Sequence, residues 1–201
     1  MGNEAVKMQP RAGRAPIVKS AIVNFERLGF HGTSMRDVAR DADVSVAAIY
    51  HHFSSKQRIL QEIMMTVLTD SLSATREAVA RAGDDPRDQL DALMRVWVVF
   101  HSVRQQEALI GASEIRSLDD ETRPGVIELR DEQEALFRQV VDHGLERGYF
   151  STSVPRETVR ALIAMGTSVA TWYRLGEGLT PDELADRFVE VARATVGARS
   201  R

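Results

Sequence analysis

The sequence predicts an all-α fold of about nine helices, and three observations carry that expectation. From Ile17 onward, apolar residues recur at three- and four-residue spacing. No stretch alternates apolar and polar residues as a half-buried strand does. Glycine- and proline-containing breaks fall at intervals that suit short helix–helix connections. The 201 residues divide on this reading into a flexible basic tail (1–15), a small three-helix unit (16–56) and a larger helical body (57–201).

The first helix is expected from about Ile17 to Leu28, where Val18, Ala21, Ile22, Phe25 and Leu28 form one stripe and Gly29 stops it. Thr33 and Ser34 offer a capping oxygen to a second, short helix that turns Met35, Val38 and Ala39 inward. A turn at Asp41–Val44 leads to Ser45, which caps a third helix over 46–52. Ser54 and Ser55 precede a long helix from Lys56 to about Arg81, with Leu60, Ile63, Met64, Val67 and Ser71 on one face, broken by Gly83-Asp84-Asp85-Pro86. A fifth helix over about 87–104 shows Leu90, Leu93, Met94, Trp97, Phe100 and His101, and a sixth runs near Glu107–Leu118. The seventh covers about 125–146, and Pro155 opens an eighth that reaches about Leu175. The ninth starts at Thr180-Pro181-Asp182-Glu183. That run combines an N-cap hydroxyl, proline at the first helical position, acids in the first turn and Glu183 closing a capping box.

Composition narrows the function classes. There is no cysteine, so disulfides, thiolate catalysis and cysteine-held metals are excluded, and a reducing cytoplasm is suited. The longest uncharged apolar stretch, Ala161–Tyr173, has 13 residues, short of the about 20 that cross a bilayer, so no membrane role is expected. The opening MGNEAVKMQPRAGRAPIV lacks the apolar block of a signal peptide. Net charge is −3, but it is unevenly spread: residues 1–60 carry nine Lys/Arg against five Asp/Glu, or +4, and the remainder 17 against 24, or −7. A cationic head on an anionic body fits a nucleic-acid-binding module joined to a domain with another task. No glycine-rich phosphate loop, G-x-S-x-G elbow or H-E-x-x-H pair is present. The five histidines are scattered, and acid pairs such as Asp84-Asp85 and Asp119-Asp120 read as solvated loop charge, so no enzyme, cofactor or metal is expected. His51 and His52 are neighbours in sequence but lie about 100° apart on a helix, so they do not share a metal-binding face.

Three short helices with a tight turn between the second and third describe a helix-turn-helix. Ala39 is small where two helices approach, Val44 is the apolar lock after the turn, and Ile49 and Phe53 point back to the core. Ser45, Val46, Ala47, Tyr50 and His51 lie on the leading end and outer face of the third helix, which would fit a major groove about 12 Å wide.

The ungapped run from Phe25 to Leu60, with Gly29-Phe30, Thr33-Ser34, Val38-Ala39, Val44-Ser45, Tyr50-His51-His52-Phe53 and Ser55-Lys56, resembles the DNA-binding head of TetR/AcrR-type transcriptional regulators. It departs at Asp43, where the family usually has glycine; aspartate tolerates a left-handed backbone better than most residues. The resemblance implies phosphate contacts from Ser34, Tyr50 and Lys56, base-edge contacts from Val46 and Ala47, and a base or phosphate contact from His51. It implies that Arg36 reaches the neighbouring backbone and that the tail cations Lys7, Arg11 and Arg14 enter a minor groove. Each has a plainer alternative: Ser34 and Ser45 as caps, Tyr50 partly in the core, and the tail cations as solubilising charge.

A helix-turn-helix monomer makes few base contacts, so a homodimer reading two half-sites of a double-stranded operator is expected. On the eighth helix Ala161, Ala164, Gly166 and Ala170 permit close approach, with Leu162, Ile163, Val169 and Tyr173 as bulk. Leu184, Phe188, Val191 and Thr195 stripe the ninth. The expected dimer interface is Leu162, Gly166, Ala170, Tyr173, Leu184, Phe188 and Val191, in a four-helix bundle of the kind TetR-like proteins form. The alternative is that both helices cover the chain's own core.

The resemblance also implies an effector cavity in the body. Its expected lining is Trp97, Phe100, His101 and Arg104, then Arg130 and Gln133 on the stripe of Leu129, Leu136 and Val140, and Met165, Ser168 and Trp172. A cation on an apolar face needs a partner, either a ligand acid or Glu114. The alternative is an aromatic core with an internal Arg–Glu pair. The C-terminal half, E-I-R-S-L onward through G-Y-F and T-W-Y-R-x-G-E-G-L-T-P-D-E-L-A-D, resembles the subgroup that regulates fatty-acid and steroid breakdown. That subgroup commonly responds to acyl-coenzyme A thioesters, which implies an acyl-CoA or other hydrophobic acid as effector, with Arg104, Arg116 or Arg130 near the cavity mouth. The function expected is a ligand-released transcriptional repressor. A structural DNA-associated protein without effector is the alternative, separable by its sequence-tolerant, steeply salt-dependent binding.

Overall fold

The computed structural model describes residues 13–199, and among these there are nine α-helices and no strand. The chain divides into two compact units, one up to Leu60 and one from Gln61. In the first lie α1 (Arg14–Gly32), α2 (Met35–Asp41), α3 (Val46–His52) and the opening of α4 (Lys56–Arg81). The second holds the rest of α4, then α5 (Pro86–Val103), α6 (Gln105–Ser113), α7 (Arg123–Glu146), α8 (Pro155–Trp172) and α9 (Pro181–Thr195). No helix among the described residues is long and apolar enough to cross a membrane.

Local chemistry sets the helix ends. Gly29 takes φ 72°, ψ 162° inside α1, so the helix breaks there as expected and resumes for one turn. α1 starts at Arg14, three residues ahead of the expected Ile17. Arg14 is therefore helical rather than part of a tail, and its guanidinium lies 4.6 Å above the Phe53 ring. Lys7 and Arg11 lie outside the described residues. α6 ends at Ser113 and tightens into a 3-10 turn over Glu114–Ser117, instead of continuing to Leu118. α8 ends at Trp172, three residues early, because Tyr173 turns extended and gives its hydroxyl to the Leu179 carbonyl at 2.8 Å. At α9 the capping box forms as read: Thr180 accepts from the Glu183 amide, and Glu183 accepts from the Thr180 amide.

The first unit buries Ile17, Ala21, Phe25, Phe30, Val38, Ala39, Ile49 and Phe53, with the Phe25 and Phe30 rings edge to face at 5.2 Å. In the second unit α5, α7, α8 and α9 close around Leu93, Trp97, Phe137, Leu162, Val169 and Val189. Gly166 lets α8 seat the Trp97 indole, since a Cβ there would lie 2.1 Å from indole Cδ1, and the indole N–H donates to the Ile163 carbonyl at 3.1 Å.

Candidate nucleic-acid interface

The turn between α2 and α3 is built from the backbone outward. Ala42 N–H donates to Val38 O at 3.0 Å, and Val44 N–H to Ala39 O at 3.0 Å. Between them Asp43 sits at φ 53°, the one non-glycine residue with positive φ among the described residues. Aspartate thus keeps the left-handed geometry at the position where the sequence resemblance implied glycine. Ser45 then caps α3, accepting from Ala48 N–H at 3.1 Å.

With the turn set, α3 divides cleanly into two faces. Ile49 is fully buried and Phe53 nearly so. Ala47, Tyr50 and His51 face solvent, Tyr50 with 54% of its surface exposed, and Val46 is half-buried at the leading end. Ser34 and Arg36 on the α2 side are exposed as well. Ser34 is already engaged: its hydroxyl donates to Asp37 Oδ2 at 2.5 Å and accepts from Asp37 N–H at 3.2 Å. This hydroxyl, then the Ser34 amide and Arg40, hold the Asp37 carboxyl below its ordinary value.

Lys56 differs most from expectation. Its Nζ donates to the carbonyls of Phe30 at 2.5 Å and Thr33 at 2.6 Å, and lies 4.3 Å from the Phe30 ring centre. Two of its three ammonium hydrogens are therefore committed to the junction of α1 and α2. Beside that junction runs a polar lock that sequence reasoning missed. Ser20 Oγ donates to Val38 O at 2.9 Å, Asn24 Nδ2 donates to Asp41 Oδ2 at 3.0 Å, and Thr33 Oγ1 lies 3.0 Å from Asn24 O and 2.9 Å from Gly29 O. Arg40 first, then Asn24, hold Asp41 in its ionised form, with its carboxyl below the ordinary value. The available signal was Ser20 and Asn24, one turn apart on a helix face that is otherwise apolar.

In the body, the residues expected around an effector separate into three groups. Trp97, His101 and Gln133 are buried, while Phe100 and Met165 are half-buried. Arg104 is half-buried and bonded within the protein to Asp70 at 2.6 Å and Glu107 at 3.2 Å, with its guanidinium 5.3 Å from the Phe100 ring. Arg130, Ser168 and Trp172 are corrections. The inward stripe of α7 runs through Val126, Gln133 and Phe137, which turns Arg130 to solvent. Ser168 is exposed and spends its hydroxyl on Met165 O of its own helix. Trp172 is 49% exposed and stacks on Phe188, the ring centres 6.3 Å apart.

The expected dimer interface is corrected in the same way. Leu162, Gly166, Ala170, Tyr173 and Leu184 are buried in this chain's own core, so no second copy can reach them. What α8 and α9 turn outward is Ala161, Ala164, Ser168 and Trp172, together with Val191 at 47% exposed and half-buried Phe188.

Comparison with known proteins matches this geometry. Residues 17–63 fit the family model described as bacterial regulatory proteins, tetR family, and residues 83–196 fit the tetracyclin repressor-like C-terminal domain. The HTH-type transcriptional repressor KstR2 of Mycobacterium tuberculosis is 26% identical over 190 residues, 94% of each chain. A bacterial regulatory protein in the tetR family from Rhodococcus RHA1 superposes with a TM-score of 0.84 at 25% identity, over 96% of this chain and 100% of that one. AibR, solved in complex with isovaleryl coenzyme A and operator DNA, shares the fold with a TM-score of 0.74 at 24% identity, over 90% of this chain and 97% of that one.

Proposed function

The chain belongs to the TetR family of bacterial regulatory proteins, and from that premise we propose that it is a dimeric transcriptional repressor released from its operator by a small apolar effector. The family is one of regulators, not enzymes. The observation that carries the reading is the two-faced α3: Ile49 anchors it from behind while Ala47, Tyr50 and His51 project from the front. A helix held in this way can lie in a major groove, with small side chains and a hydrogen-bonding edge toward the bases. Val46 and Ala47 meet base edges, Tyr50 and His51 meet a base or the backbone, Ser45 serves as both cap and contact, and Arg36 takes a flanking phosphate, while Ser34 spends its hydroxyl and amide on Asp37 as the cap of α2. KstR2, similar along nearly the whole chain, is named a repressor, which supports repression over activation.

Two copies pair through the outward strip of α8 and α9, with Ala161 and Ala164 allowing close approach and Trp172, Phe188 and Val191 providing the apolar area. The body takes the effector, for which an acyl-coenzyme A is the class the sequence resemblance implies. Effector and operator then oppose each other by one coupling free energy, so each weakens the other equally. The test is an electrophoretic shift with DNA from upstream of the chain's own coding region, together with light scattering on the purified protein. A retarded complex and a particle of twice 22.4 kDa are expected. A monomer, or no retardation at low salt, overturns the reading.

A further inference from the structure

We propose that α3 reads its half-site mainly through the C5-methyl groups of thymine, packed against Val46 and Ala47, with one hydrogen bond from His51 as its polar base contact. This inference rests on the operator-binding reading of the head and adds what kind of operator it takes. Its basis is what the outer face of α3 lacks. The run from Ser45 to Ser54 holds no Arg, Lys, Asn, Gln, Asp or Glu. Guanine is read by a bidentate Arg or Lys, adenine by a bidentate Asn or Gln, and cytosine by a carboxylate that accepts from its amino group. α3 carries none of these side chains, so no bidentate contact to a base edge can come from it. The nearest cations in sequence are committed elsewhere. Arg40 is bonded to Asp37 at 3.1 Å and to Asp41 at 2.9 Å, and Lys56 donates to the Phe30 and Thr33 carbonyls.

What the face does offer is methyl surface on short stems. Ala47 is exposed and Val46 half-buried, and Ser45 turns its hydroxyl oxygen back to Ala48 N–H at 3.1 Å as the cap. Side chains this short let the helix backbone come close to the base edges. There thymine is the one base that carries a methyl group at C5, and alanine or another small apolar side chain is its natural partner. Carbon surface meeting that methyl removes both from water, a gain that needs no donor or acceptor. His51 is exposed, with its ring edge to face on His52 at 5.2 Å, and offers a base one ring nitrogen at a time. Tyr50, exposed beside it, has the longer reach and serves the sugar–phosphate backbone. The half-site is thus defined by where its methyl groups stand more than by a pattern of donors and acceptors.

The test is selection of duplexes by the full chain from a random-sequence library, then replacement of each thymine in the selected half-site by deoxyuracil, which loses the methyl and keeps every hydrogen-bonding group. At the thymines met by Val46 and Ala47, uracil is expected to weaken binding about fourfold per half-site, the value of one buried methyl, and about fifteenfold when both half-sites are changed. At those same positions 5-methylcytosine is expected to bind about fourfold more tightly than cytosine. Val46→Ala and Ala47→Gly are each expected to shrink the uracil effect at one position to under about twofold, the signature of a direct contact. If neither variant folds, the uracil and 5-methylcytosine series on the unmodified chain decides. Selected half-sites without thymine, uracil substitution without effect, or a uracil effect that both variants leave intact overturns the proposal. A chain that holds its selected duplex but ignores uracil sinks this inference and leaves the operator-binding reading standing. One that selects no duplex sinks both. One that reads the methyls as a monomer upholds this inference and sinks the dimeric repressor.

Discussion

Replacing Lys56 by methionine keeps most of the aliphatic stem and removes the ammonium, so it isolates what the charge does. The structure commits that ammonium to two backbone carbonyls, Phe30 O and Thr33 O, and to the Phe30 ring. A hydrogen bond from a charged donor contributes about 1.5–3 kcal/mol net, and a cation that keeps contact with solvent while lying over a ring about 0.5–1 kcal/mol. Lys56 is half-buried, so the low end of each range applies, and with two hydrogen bonds and one ring contact the head is expected to lose about 3.5 kcal/mol. A unit of this size has little stability to spare. Hydrogen exchange at the amides of α1 and α2 is the direct assay, with thermal unfolding of the full chain beside it. Tyr50→Phe is the control: it removes an exposed hydroxyl and is expected to weaken DNA binding while changing stability by less than about 0.5 kcal/mol. If Lys56→Met leaves exchange and melting unchanged but abolishes DNA binding, the clamp is wrong and Lys56 is simply a phosphate contact.

Asp43→Gly is expected to stabilise the head by about 0.5–1 kcal/mol in chemical denaturation, because glycine takes φ 53° without the cost borne by a side chain. Gly166→Ala is expected to destabilise the body by at least about 1–3 kcal/mol, read as a lowered Tm, since the added methyl meets the Trp97 ring. His101 has a folded pKa pushed below 6.5 by burial, so the unfolded chain takes up its proton first as pH falls. Its contribution to stability is therefore full above pH 6.5 and is lost as pH falls from 6.5 through the lower folded value. Denaturation midpoints measured across that range are expected to fall in the unmodified chain and to flatten in His101→Gln.

The helices were legible because their signals are local. Gly29, Ser45 and the Thr180–Glu183 box act within a few residues of themselves, and each ends or starts a helix where its chemistry says it must. The two faces of α3 were legible for the same reason, since Ile49 and Tyr50 differ by one step on a short helix. What could not be read was which apolar surface meets which partner. α8 carries small residues on two faces, Ala161 and Ala164 on one, Gly166 and Ala170 on the other. Periodicity aligns each set but does not say which one packs on Trp97 and which stays outside. Lys56 is the polar version of the same problem. Its acceptors lie 26 and 23 residues earlier in the chain, and only the folded head brings them within reach of its ammonium. Arg130 was drawn inward by its position beside Gln133, although three residues along a helix turn a side chain about 60° away, enough to leave the core.

Hydroxyl-radical footprinting of the upstream DNA with the purified chain tests the central claim most directly, because it reads geometry as well as affinity. Two symmetric protected patches on one face of the duplex are expected, with centres about 34–36 Å apart or a multiple of that spacing, and both should fade in Tyr50→Phe. A single patch, or protection that survives loss of the α3 contacts, would contradict a paired molecule that reads DNA through the outer face of that helix.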